Sequence, residues 1–185
     1  MNAVFLDRDG VIIRKAPEGE YITGWSEVEF LPGSVDAIRT LHRYGFKVIV
    51  VTNQRGVATG KIKLSSLEDI HARMRTVIAE NGAVISAIDY CPHNTSDDCD
   101  CRKPKPGMLL RAAKAHGLSL SKCWMVGDTA TDIEAGKRAG CKTALIGAYP
   151  ESNGSNALPD LCEQSLELAV NRILQLENAV RHSTV

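Results

Sequence analysis

Three short stretches of this chain carry side chains whose chemistry is complementary. Asp7-Arg8-Asp9-Gly10 puts two carboxylates around an arginine directly after the apolar run Ala3–Leu6. Thr52-Asn53-Gln54 follows Val48–Val51, and Gly127-Asp128 follows Trp124–Val126, with Asp132 four residues on. Together with Lys103 they supply carboxylates, a hydroxyl and an ammonium. Carboxylate oxygens suit a hard cation such as Mg²⁺, and a cation plus a lysine would neutralise a phosphoryl group. Asp and Gly are common in turns, so DRDG by itself reads as a solvated turn. The argument for phosphate chemistry is convergence: independent turns would not all place matching roles at strand ends.

A second cluster lies in one loop. CPHNTSDDCDC, residues 91–101, brings Cys91, His93, Cys99 and Cys101 into a C-x-H, C-x-C arrangement. Three thiolates and an imidazole fill a tetrahedral Zn²⁺ shell with no position left for water, so this zinc is expected to be structural. Disulfides are the alternative, disfavoured in a cytoplasmic protein. Arg102 and Lys103 follow the last ligand directly, so closing the loop would fix two cations beside the carboxylates. Cys123, Cys141 and Cys162 adjoin apolar stretches and read as core or near-core residues. His42, His71, His116 and His182 read as surface or packing histidines. Trp25 is placed in sequence to wall a pocket or to pack.

Something must hold these groups in place. The apolar runs Ala3–Leu6, Val48–Val51, 84–88, Trp124–Val126 and Thr143–Ile146 have strand length and alternate with helical patterns, which argues for a parallel sheet. Val35, Ile38 and Leu41 mark one helix face, stopped by Gly45. Ser65 to Glu68 forms a capping-box pattern ahead of Leu67, Ile70, Met74 and Val77. Further helices are expected from Pro106-Gly107 to near Gly117, over Ala130–Ala139 before Gly140, and over 166–180. The expected fold is α/β, a three-layer Rossmann-like parallel sheet with helices on both faces, a zinc-binding loop and no separate cap domain. In such a sheet ligands gather at the carboxyl ends of strands.

The totals agree with one phosphatase domain over residues 1–185, in which 151–160 is a polar, mobile linker to the last helix. Lys plus Arg equals Asp plus Glu at 22 each, so no basic face for nucleic acid is signalled. No apolar run reaches membrane-spanning length, and the N-terminus lacks an export pattern. A cytoplasmic monomer is expected.

DRDG, TNQ, RKPKPG and GDTATD together resemble the four signatures of the haloacid dehalogenase superfamily. The resemblance implies that Asp7 attacks phosphorus to form an aspartyl-phosphate, while Asp9 protonates the leaving oxygen and then activates water. It implies Mg²⁺ held by Asp7, the backbone carbonyl of Asp9 and Asp128, with Asp132 orienting the metal site from behind. Thr52 and Asn53 would donate to phosphoryl oxygens, and Lys103 would stabilise their charge. Two carboxylates are then needed because one is an ionised nucleophile and the other a proton carrier. Sharing the metal should lower the pKa of Asp7 and leave Asp9 able to hold a proton.

Within the superfamily, CPH and CDCRKP are similar to two cap-less groups, the histidinol-phosphate phosphatases and the heptose 1,7-bisphosphate phosphatases. RGVATGK, RKPKPGM and YITGWSEVEFLPG resemble the heptose group, which implies removal of the C7 phosphate for nucleotide-activated heptose synthesis. The short spacing from His93 to Cys99 occurs in the histidinol group too. A sugar bisphosphate needs a second cationic patch, for which Arg102, Lys105, Arg55 and Arg14 are candidates, with Gln54 also on the substrate side. A phosphoryl-accepting signalling domain is the more remote alternative.

Overall fold

The computed structural model describes residues 2–148 and 157–182, with side chains to 179. Its elements run β1 (Ala3–Leu6), α1 (Ser34–Arg43), β2 (Lys47–Asn53), α2 (Leu64–Glu80), β3 (Ile85–Cys91), α3 (Gly107–His116), β4 (Trp124–Gly127), α4 (Ala130–Ala139), β5 (Lys142–Ile146), β6 (Leu161–Glu163) and α5 (Leu166–His182). The strands form one sheet in the order β3-β2-β1-β4-β5-β6, every pair parallel. Order reverses direction between β1 and β4, and in such a sheet the crevice for ligands opens at that reversal. Asp7 and Asp128 sit one residue past the ends of those two strands.

Alternation along the strands builds two cores, one on each face. Val4, Leu6, Val48, Val50, Trp124 and Val126 pack with Ile38, Leu41, Ile70, Met74, Val170 and Ile173 of α1, α2 and α5. Phe5, Ile49, Val51 and Met125 point the other way, onto Met108, Leu109 and Ala112 of α3 and Ala135 of α4. Full burial of one such Leu or Ile is worth about 1.5–3 kcal/mol, and strands covered on both faces read as the unbroken apolar runs seen here. On the sheet's amino side, Glu177 of α5 accepts from Trp124 Nε1 at 3.0 Å and Lys142 Nζ at 2.7 Å. The segment joining β1 to α1 contains only a short 3-10 turn, Trp25–Glu27, and no cap domain. No described helix is long and apolar enough to cross a membrane.

Five expectations change. The helix after Lys63 starts at Leu64 with no side-chain cap, since Leu67 N already donates to Lys63 O, so Ser65 lies inside α2 and caps nothing. Ile78, not Val77, closes the buried stripe of α2. β6 was not expected: it is three residues long, and only its pairing with β5 defines it. Cys162, at its centre, is exposed, whereas Cys123 and Cys141 are buried. Of the 151–160 linker, residues 151–156 lie outside the described residues, and its end is fastened: Asp160 accepts from Thr143 N at 2.7 Å and pairs with Lys137 at 2.6 Å.

Candidate active site and metal centres

Asp7, Asp9, Thr52, Asn53, Lys103, Asp128 and Asp132 line one cavity of about 210 Å³ at the carboxyl rim of the sheet. They come from the ends of β1, β2 and β4, from the first turns of α4, and from the loop after β3, so segments far apart in sequence meet at one point. Two glycines permit the approach. Gly10 has φ +89°, and a Cβ there would lie 2.2 Å from Asp128 Oδ2; a Cβ on Gly127 would lie 2.1 Å from Asp132 Cβ. Any other residue at either place would push a carboxylate out of the cluster.

Lys103 is the hub. Its ammonium lies 2.9 Å from Asp7 Oδ1 and 2.6 Å from Asp132 Oδ1, and it donates to Val51 O at 2.8 Å. Those contacts use all three of its donors. Burial alone would favour the neutral amine, but Asp132 and Asp7 outweigh it and hold the Lys103 pKa above the ordinary lysine value. Asp132 also caps α4, accepting from Thr129 N at 3.1 Å and Thr129 Oγ1 at 2.6 Å. With both oxygens so engaged, it is fitted to orient its neighbours.

Asp7 feels the reverse balance. Burial, with Asp132 and Asp9 nearby, pushes its pKa up to about 7, against the pull of Lys103. Burial also raises Asp128, opposed by Lys15, whose ammonium reaches Asp128 Oδ2 at 2.7 Å from the exposed rim. Oxygens of Asp7, Asp128 and Asp132 lie within 4.8 Å of one another. Three carboxylates against buried Lys103 and rim Lys15 leave one negative charge, and hard oxygen donors with that excess fit a divalent ion such as Mg²⁺. The low Asp7 pKa expected from metal sharing thus depends on that ion's charge, which the protein alone does not replace.

Asp9 is held from behind. Arg8, which is buried, donates from Nε to Oδ2 at 3.1 Å and from Nη2 to Oδ1 at 3.0 Å. Gln54 Nε2 donates to Asp9 Oδ2 and to Thr52 Oγ1, both at 2.9 Å. Gln54 is therefore buried against Asp9 and Thr52. Asn53 lines the same cavity, and its amide also ties down the neighbouring loop: its Nδ2 donates to Lys103 O and its Oδ1 accepts from Lys103 N, each at 3.1 Å. This two-way strap fixes the Lys103 backbone to the end of β2.

The loop of residues 91–101 forms the second centre. Around it the contacts are Cys91 Sγ to His93 Nδ1, 3.6 Å; His93 Nδ1 to Cys101 Sγ, 3.2 Å; Cys101 Sγ to Cys99 Sγ, 3.4 Å; and Cys99 Sγ to Cys91 Sγ, 3.5 Å. A disulfide requires about 2.05 Å between sulfurs, whereas ligands ~2.0–2.3 Å from a tetrahedral zinc stand roughly 3.3–3.8 Å apart. The donor set fits zinc. Burial pushes the Cys91 thiol up to about 12; slight burial of Cys99 opposes ionisation, but contacts from Cys101 and Cys91 and backbone N–H groups bring it down to about 7. Beside this loop, Arg102, Lys105 and Arg138 line a cavity of about 270 Å³ that shares Lys103 with the carboxylate cavity.

The matching family model is that of haloacid dehalogenase-like hydrolases, over residues 5–140. The chain belongs to this family. Relatives include the D-glycero-beta-D-manno-heptose-1,7-bisphosphate 7-phosphatase of Pseudomonas aeruginosa, 44% identical over 143 residues covering 77% of this chain and 79% of that one. The enzyme of the same name from Bordetella bronchiseptica is 35% identical, covering 91% of this chain and 98% of that one. A crystal structure of the D,D-heptose 1.7-bisphosphate phosphatase from B. bronchiseptica, complexed with magnesium and phosphate, superposes with a TM-score of 0.83 at 33% identity, covering 95% of this chain and 99% of that one. Mg²⁺ dependence and an aspartyl intermediate are general in the haloacid dehalogenase family, and this member is a phosphoric monoester hydrolase.

Not every expected residue joins the site. Arg55 is exposed and lines none of these cavities. Arg14 is paired on the surface with Glu29 through two contacts, 2.7 and 2.8 Å, whereas Lys105 lines the Arg102 cavity with its ammonium paired to Asp98 at 2.6 Å. Trp25 packs edge-on against Phe30 at 6.4 Å. Lys15, Arg138, Arg8 and His71 were not expected at the site. The sequence does place Arg8 between the two carboxylates, and that position was the available signal.

Proposed function

We propose that the chain removes the C7 phosphate of D-glycero-D-manno-heptose 1,7-bisphosphate, in nucleotide-activated heptose synthesis for surface polysaccharide. The observation that carries this reading is the likeness, over nearly the whole length of both chains, to the Bordetella enzyme complexed with magnesium and phosphate. Asp7 attacks phosphorus, and Asp9 gives the leaving oxygen its proton and later takes one from water. Asp7, the Asp9 carbonyl and Asp128 would hold Mg²⁺, which would supply positive charge to offset the repulsion between the Asp7 carboxylate and the phosphoryl oxygens. Lys103 spreads its positive charge over the phosphoryl oxygens, Thr52 donates to them, and Asp132 aims Lys103. Asn53 acts through the Lys103 backbone, and Gln54 through Asp9.

Arg102 lines the neighbouring cavity, next in sequence to Lys103, and grips the far end of the substrate. Cys91, His93, Cys99 and Cys101 would hold Zn²⁺, which would close the loop that forms that cavity's wall. Residues 1–185 act as one phosphatase domain. Every proposed site residue comes from one chain, so a monomer suffices, and a cytoplasmic location keeps the thiols reduced for zinc. Phosphate release from at least one anomer of the heptose bisphosphate should outrun release from histidinol phosphate under matched conditions. Faster turnover of histidinol phosphate would reject the heptose assignment and leave the aspartyl-phosphate chemistry standing.

A further inference from the structure

Behind Asp9 stands a buried polar chain. Arg8 leaves the end of β1, is almost wholly shielded from solvent, and spends its Nε and Nη2 donors on the two oxygens of Asp9. Its remaining amino group, Nη1, lies 3.1 Å from Nε2 of His71, on the inward face of α2. A guanidinium can only donate. Nε2 must therefore offer a lone pair, which puts the ring proton on Nδ1 and keeps the imidazole neutral. Burial and the charges of Arg8 and Arg75 agree, pushing the His71 pKa down to about 3. The ring is itself steadied by Tyr90 of β3, with centroids 5.5 Å apart. The two-oxygen grip fixes the plane of the Asp9 carboxylate as well as offsetting its charge, and the His71 acceptor seats the buried guanidinium by satisfying its Nη1 donor.

We propose that Arg8 and His71 are positioning residues for Asp9: the guanidinium, seated on His71, holds the Asp9 carboxyl in the orientation from which it passes a proton to the leaving oxygen. The inference rests on the reading of Asp9 as the proton carrier. It predicts a dependence on the leaving group. An alkoxide must be protonated as it departs, whereas p-nitrophenolate is stable enough to leave without a proton, so misaligned acid catalysis should penalise alkyl substrates selectively.

The test measures kcat/KM, which reports steps through the first irreversible phosphoryl transfer, for p-nitrophenyl phosphate and for an alkyl phosphate that the wild-type protein hydrolyses, with Mg²⁺ saturating. The alkyl substrate need not be the heptose bisphosphate, so failure of that assignment leaves the test intact. His71→Leu, which removes the acceptor, should lose about tenfold on the alkyl substrate and less than about twofold on the aryl one. His71→Gln, whose amide oxygen reaches the place of Nε2, should stay within about twofold of wild type on both. Should His71→Leu not fold, His71→Asn takes its place, since its shorter amide stops short of Arg8. Equal loss on both substrates, or equal loss in the Gln variant, would mean that His71 only packs, and the proposal falls. Asp9→Asn, measured alongside, separates the two readings. If it shows the alkyl-selective loss and the His71 variants do not, only the positioning role is lost; if it shows none, the proton-carrier role of Asp9 fails and takes this inference with it.

Discussion

The carboxylate cluster and the thiol cluster are both metal-shaped, and they are built in opposite ways. The first draws Asp7, Lys103, Asp128 and Asp132 from the ends of separate elements, is deeply buried, and already contains its own cation in Lys103. The second draws all its donors from residues 91–101, and among the described residues no lysine hydrogen-bonds to its four ligands. A cluster held by the whole sheet should keep its shape when a ligand or its ion is lost. A cluster held by one loop should not. That contrast matches a catalytic ion that must exchange with water and a structural ion that must stay.

The contrast is tested most severely at Asp7. Asp7→Asn should lower turnover at least about a thousandfold while the protein stays folded, because the amide cannot attack phosphorus and the sheet does not need the charge. Phosphate-release assays and circular dichroism read the two halves; unaltered turnover in a folded variant would remove Asp7 from the mechanism.

Cys99→Ser should do the reverse, acting first on stability. Zinc content by elemental analysis should fall, with the melting temperature lower by about 10 °C, since zinc binding in such a loop is folding free energy. Cys162→Ser, at an exposed thiol, is the control and should change neither. Full zinc content with unchanged melting in Cys99→Ser would end the idea that the loop is metal-closed.

The smallest effect concerns protons. Burial raises the Asp7 pKa from 3.8 to about 7 in the metal-free protein. For an acid the sign is plain: the folded, metal-free state favours the protonated carboxyl below about that pH, and a cation must displace the proton to bind. Mg²⁺ affinity should therefore rise by up to about tenfold per pH unit as pH climbs toward 7, then level off, with up to one proton released at the low end. Calorimetry in buffers of different ionisation enthalpy reads both quantities. Affinity that is flat from pH 5.5 to 8 would show that Asp7 is already ionised before the metal arrives.

Local chemistry explains which parts of this were legible beforehand. β1, β2 and β4 announce themselves because burial on both faces demands unbroken apolar runs, and helix ends at Gly117 and Gly140 show because a left-handed residue must stop them. β6 is silent, since Leu-Cys-Glu has no pattern of its own and only its pairing with β5 defines it. The cysteine cluster is visible because its ligands are neighbours in the chain. Arg8 and His71 are 63 positions apart, and nothing in either local sequence signals that Nη1 and Nε2 meet. Asn53 is a subtler case: the sequence names the residue, but only the folded loop shows that both ends of its amide are occupied by the Lys103 backbone.

That strap also bears on how such a molecule can change over generations. Asn53 clasps the chain on the catalytic side of the last thiol, so residues added or deleted between His93 and Cys99 are absorbed outside the clasp. The lysine does not inherit the disturbance. A change in loop length between His93 and Cys99 should therefore leave the lysine in place, tethered to the end of β2 by two hydrogen bonds 3.1 Å long.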